Sequence, residues 1–98
     1  MIDTQTALDV LRLDEDPTLT GLVANYVGAL PRYIEGVTGV PYETVIDSDD
    51  ELLETLEKFA VQLFYNPDGT DSVRLQSVID SISSLVKARY VAGEYDQG

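Results

Sequence analysis

Carboxylates supply most of the residues here whose type and spacing could do chemistry. They stand in two runs, Asp14-Glu15-Asp16 and Asp47-Ser48-Asp49-Asp50-Glu51. Oxygen ligands in such runs suit a hard cation. Neither run has the Asp-x-Asn/Asp-x-Asn/Asp-Gly spacing closed by a glutamate, and each stands just before a helical pattern. Capping of helix ends is therefore expected, not metal binding. Asn66-Pro67-Asp68-Gly69-Thr70-Asp71 fails the same test, because Ser77 or Ile79 falls where a bidentate glutamate is needed. The chain has no Cys, which removes thiolate nucleophiles, disulfides and thiolate-bound zinc. It also has no His, the usual general base near neutral pH and the usual transition-metal ligand. No catalytic, cofactor-binding or metal-ligating residue is expected, and the protein is not read as an enzyme.

Gly69-Thr70-Asp71-Ser72-Val73-Arg74-Leu75 resembles the Asp-Ser-Leu motif at which an acyl carrier protein receives phosphopantetheine. That fold places its serine at the start of the second helix with two helices behind it. Here one helical pattern and a short tail remain, so Ser72 reads as a cap. Charge narrows the partners further. Six Lys and Arg against eighteen Asp and Glu give a net charge of −12, a field that repels phosphate backbones and anionic lipid headgroups. The segment Met1-Ile2-Asp3-Thr4-Gln5 lacks the basic and apolar regions of a signal peptide, and no apolar run is long enough to span a bilayer. The expected setting is the cytosol, or an assembly built from it.

The elements that must position these residues follow from periodicity. Ala7, Leu8 and Leu11 mark a short helix over 4–11, capped by Asp3 or Thr4. Asp16-Pro17 opens a long helix over 17–38. Its apolar residues, from Leu19 and Val23 through Tyr26 and Leu30 to Ile34 and Val37, fall within an arc of about 140°. Pro31 lies inside it and predicts a kink, because it cannot donate to the carbonyl of Val27. Gly39 ends it. Residues 39–49 are expected to hold a turn and a short extended piece at Thr44-Val45-Ile46. Ser48 or Asp49 caps a helix over 50–65 whose buried face is Leu52, Leu53, Leu56, Phe59, Ala60, Leu63 and Phe64. Asp71 or Ser72 caps a last helix over 73–90, with Leu75, Val78, Ile79, Ile82, Leu85, Val86 and Tyr90 inward. The expectation is an all-α, small four-helix bundle over 1–90 with one long kinked helix, and an extended C-terminal tail, 91–98, that docks on a partner.

Several features suit an assembled subunit. At about 1.5 Å per residue the helix over 17–38 is about 33 Å long, more than short neighbours cover. Val61 and Tyr65 form a second apolar patch opposite the main face, and Ser77, Ser81 and Ser84 form a strip that another backbone could approach. Arg74, Arg89, Tyr90 and Tyr95 join Val61 and Tyr65 as the expected interface, since aromatic and arginine side chains dominate such contacts. Truncation after Lys87 is expected to abolish partner attachment and leave the fold intact.

Leu11-Arg12-Leu13-Asp14-Glu15-Asp16, then Leu19 and Leu22-Val23, then Tyr33-Ile34-Glu35-Gly36-Val37-Thr38-Gly39, and finally Phe64-Tyr65-Asn66, together resemble the head-tail connector (head-completion adaptor) proteins of long-tailed bacteriophages. The resemblance covers about residues 4–66 and rests on the order and spacing of short motifs. Pro17-Thr18 replaces acidic residues common in that family, Pro31 replaces a helix former, and no basic residue follows Asn66. It implies a virion structural protein at the head-tail interface, made in the host cytoplasm. Copies close into a homo-oligomeric ring, usually a dodecamer, between the portal protein and the next tail-proximal completion or stopper protein. DNA passes through such a ring unbound, and a net charge of −12 suits that role. Asp14, Glu15, Asp16, Asp47, Asp49 and Asp50 are the expected channel or rim acids. The alternative is a small acidic helical adaptor or inhibitor acting one-to-one on a cytosolic protein, and behind it the carrier reading through Ser72.

Overall fold

The computed structural model describes residues 1–95. Among them the regular structure is wholly helical: α1 Thr4–Leu11, α2 Pro17–Thr38, α3 Tyr42–Asp47, α4 Glu51–Tyr65 and α5 Ser72–Val91. Among the described residues no helix is long and apolar enough to cross a membrane. Of the expected tail, residues 96–98 lie outside the described residues.

Local chemistry sets the helix ends. Asp3 accepts the Thr6 N–H at 2.8 Å to start α1, and that hydrogen bonding holds its carboxyl below the usual range. α1 stops at Arg12, a non-glycine residue at φ 57°, in the left-handed region. Asp16 accepts the Thr18 and Leu19 N–H groups at 2.8 and 3.2 Å, with Pro17 in the first turn of α2. The helix then runs without interruption through Pro31 to Gly39, whose φ of 84° closes it with a bond from its N–H to the Glu35 carbonyl at 2.9 Å. Asp50 caps α4 by accepting the Leu53 N–H at 3.0 Å; Ser48 instead accepts the Asp50 N–H at 3.0 Å.

The extended piece expected at Thr44-Val45-Ile46 is helical. Pro41, at φ −56°, precedes a single short helix in which the Val45 N–H donates to the Pro41 carbonyl at 3.1 Å. Three β-branched residues suggest a strand only where another strand can pair with them. Here the Tyr42 N–H donates to Glu35 at 3.2 Å and Arg32 lies 3.8 Å over the Tyr42 ring, so α3 is pinned to the end of α2. Among the described residues the fold thus has five helices.

Two apolar clusters share α4. Ile2, Ala7, Leu8, Val23, Val27, Leu30, Ala60 and Val61 form one. Ile34, Val40, Val45, Leu53, Leu56, Ile79 and Val86 form the other. Tyr33 touches both and meets Phe64 edge-on at 5.0 Å, while Tyr26 meets the same ring at 6.0 Å. The buried arc of α4 is Leu53, Leu56, Glu57, Ala60 and Val61, turned from the expected face because α1 covers one side of this helix and α5 the other. Val61 is therefore fully buried and leaves the expected interface set. Leu85, expected inward, is 58 % exposed, and Ser83 is buried in its stead. The apolar stripe of α2 is covered along most of its length, with Leu22 and Val37 left partly open.

Candidate functional site

The polar and aromatic residues gather most densely where α2 ends and α4 begins. Asp50 does three things there: its carboxylate caps α4, accepts the Tyr95 hydroxyl at 3.1 Å, and faces Arg89 at 3.4 Å. Burial raises the Tyr95 hydroxyl above its ordinary pKa, with the Arg89 hydrogen bond opposing. That same bond to Tyr95 raises the Arg89 guanidinium. Residues 92–95 thereby fold back from the end of α5 onto their own chain, and Tyr90 and Tyr95 pack on the second apolar cluster. Truncation after Lys87 consequently removes packing from the core as well as any docking segment. Beside this latch a groove of about 620 Å³ is lined by Pro41, Glu43, Thr44, Asp47, Tyr90, Val91, Gly93 and Tyr95.

The expected residues sort differently from their sequence grouping. Asp47, Asp49 and Asp50, read as channel acids, stand beside Arg89 and Tyr95, read as interface residues. Asp14, Glu15 and Asp16 are all exposed and lie in the turn before α2, about 33 Å away by the length of that helix. The six acids therefore form two patches. Tyr65, 38 % exposed, borders a second groove of about 320 Å³ with Val10, Leu11, Arg12, Ser72 and Leu75. Arg74 is exposed and lies 3.8 Å from Asp71. Ser72 opens the last helix, α5, behind Asp71, which makes no side-chain cap bond. Ser81 and Ser84 donate to the Ser77 and Asp80 carbonyls at 3.1 Å, so their hydroxyls serve their own helix.

Two features escaped the sequence reading. Glu57 is fully buried on α4, accepting the Ile2 N–H at 3.1 Å through Oε1, while Oε2 has no partner among the described residues. Burial pushes its carboxyl up to about 7, against the Ile2 bond and the positive Met1 amine and Lys58. The signal was its position four residues from both Leu53 and Val61. The other is the outward face of α5, where Val73 and Val91 are 81 % and 79 % exposed. These lie one face apart from the inward stripe, and only the packing of α5 on α4 shows which side is covered. Among the described residues no three metal-ligating side chains converge. Comparison with protein-family models, with curated proteins and with solved structures returned no match.

Proposed function

We propose that this chain is a structural head-tail connector subunit of a tailed bacteriophage, one of a ring of copies, as a dodecamer, seated between the portal protein and the tail-proximal completion protein. Its work is contact, and DNA passes through the ring without being bound. In this reading α1, α2, α4 and α5 act as a four-helix bundle with α2 kinked at Pro31, and the segment from residue 91 onward meets the portal. The observation that carries the proposal is the uncovered face of α5: Val73, Leu85 and Val91 stand 81 %, 58 % and 79 % exposed on a chain of 98 residues. Large apolar side chains left open along one helix favour a surface that a partner covers. The exposed acids at both ends of α2 agree with a lumen or rim that releases phosphate.

Light scattering and negative-stain microscopy of the purified chain, with and without a portal protein, test this. Closed rings of one size, formed alone or on the portal, are the expected result. A one-to-one complex of a single copy with its partner would replace the ring by the adaptor reading.

A further inference from the structure

The groove of about 620 Å³ between α3 and the turn after α5 has walls of two kinds. Tyr90, Val91 and Tyr95 come from the end of α5 and the turn behind it, and Pro41 from the start of α3. Gly93, at φ 84°, reverses the chain there, and the Glu94 N–H donates to the Arg89 carbonyl at 3.0 Å. That reversal carries Tyr95 back to Asp50 and leaves Val91 79 % exposed beside it. The charged lining is of one sign: Glu43 and Asp47, both exposed, stand one turn apart on α3, and Asp49 follows in the adjoining hollow. The nearby cations are taken up elsewhere. Arg32 pairs with Glu35 at 3.3 Å, Arg89 faces Asp50 at 3.4 Å with Glu94 also close, and Lys87 lines a separate hollow with Asp80. Glu43, Asp47 and Asp49 have no ion-pair partner among the described residues.

We infer that this groove receives a cationic segment of another protein, a helix with two basic side chains about one turn apart beside an apolar one. The spacing comes from α3, where residues four apart hold their side chains about 5 to 6 Å apart at Cβ, a separation that one turn of a facing helix matches. The half-buried rings of Tyr90 and Tyr95 offer faces that attract cations, and Val91 and Pro41 take the apolar side chain out of water. Charge sorts the occupants. Carboxylates repel a phosphate backbone and an anionic lipid surface. A second copy brings only isolated cations, because Arg32, Arg74 and Arg89 are paired within the chain, which leaves Arg12, Lys58 and Lys87 at three separate places. The chain's own Asp96-Gln97-Gly98 has no cation at all. One copy with its occupant is enough, so the groove stands apart from the ring reading.

The probe is a fluorescein-labelled, alanine-rich helical peptide with two arginines four residues apart and a leucine just before the second, titrated with the full chain and read by fluorescence anisotropy. Saturable binding is expected at about 50 mM salt, and about tenfold weaker binding at about 500 mM or with glutamine in place of both arginines. Glu43→Lys with Asp47→Lys should weaken binding about tenfold, and the milder Glu43→Gln with Asp47→Asn about threefold, with helical circular dichroism unchanged. Val91→Ser should weaken it about threefold at constant charge. Asp9→Lys with Asp68→Lys makes the same change in net charge at the far end of α5, about 30 Å away, and should stay within about twofold. Absence of saturable binding, an equal loss from that distal pair, or no loss from either groove pair overturns the inference. A chain that binds the peptide but never forms rings upholds the groove and refutes only the ring.

Discussion

Glu57→Gln tests the reasoning about the core most sharply. The carboxyl is fully buried, its Oε1 holds the Ile2 N–H, and its Oε2 meets no donor among the described residues. In the unfolded chain it titrates near 4.5; in the fold it titrates at about 7. Because the folded pKa is the higher one, the folded state binds the proton more tightly. The stability this contributes is fully present below pH 4.5 and is lost as pH rises through 7. Integrating that shift between pH 5 and pH 8 gives a loss of about 2 to 3 kcal/mol, a large share of the 5 to 15 kcal/mol typical of a domain. Glutamine keeps the acceptor for Ile2 and does not titrate, so the variant should lack this component. Urea unfolding followed by far-UV circular dichroism, which suits a chain without Trp, should show the difference between the two proteins changing by that amount from pH 5 to pH 8 in favour of glutamine. Repulsion among the other carboxylates is common to both and cancels. Parallel stability curves would refute the argument, because they would mean that Glu57 reaches water in the folded protein.

Other expectations concern the helix ends and the surface. Gly39→Ala should destabilise by about 1 kcal/mol, since Gly39 holds φ 84°, whereas Gly28→Ala, with open space around the added carbon, should stabilise by about 0.5 to 1 kcal/mol; thermal melts separate the two signs. Asp50→Ala should cost about 1 kcal/mol for the cap alone, and a double-mutant cycle with Tyr95→Phe should return a coupling of about 0.5 to 1.5 kcal/mol; zero coupling would mean that the latch does not form in solution. Leu56→Ala, at a fully buried position, should cost about 2 to 5 kcal/mol by chemical denaturation, while Leu85→Ser should stay within about 0.5 kcal/mol in the dilute chain. An equal cost at both positions would contradict the outward placement of Leu85.

Much of the helical plan is local and was legible in the residues. Asp16-Pro17 and Gly39 bound α2 because a capping carboxylate, an amide-free first turn and a left-handed glycine act within a few residues of themselves. Period alone brought Val23, Val27, Leu30 and Ile34 to one side. What period cannot report is how many neighbours a helix has. α4 lies between α1 and α5, and so Val61, which looked like a second surface patch, is core, and Glu57 is enclosed with it. α5 has neighbours on one side only, which leaves Val73 and Leu85 outside although they have the same chemistry as Leu75 and Val86 inside. The segment at 44–46 turned helical because no strand among the described residues lies within reach to pair with it. Charge was countable from composition, but the pairing of Arg89 with Asp50 at 3.4 Å, between residues far apart in the chain, exists only once α5 is set against α4. Burial and long-range charge depend on what surrounds a residue in space, and that is decided by packing, whereas caps, turns and periods are decided by the neighbours in the chain.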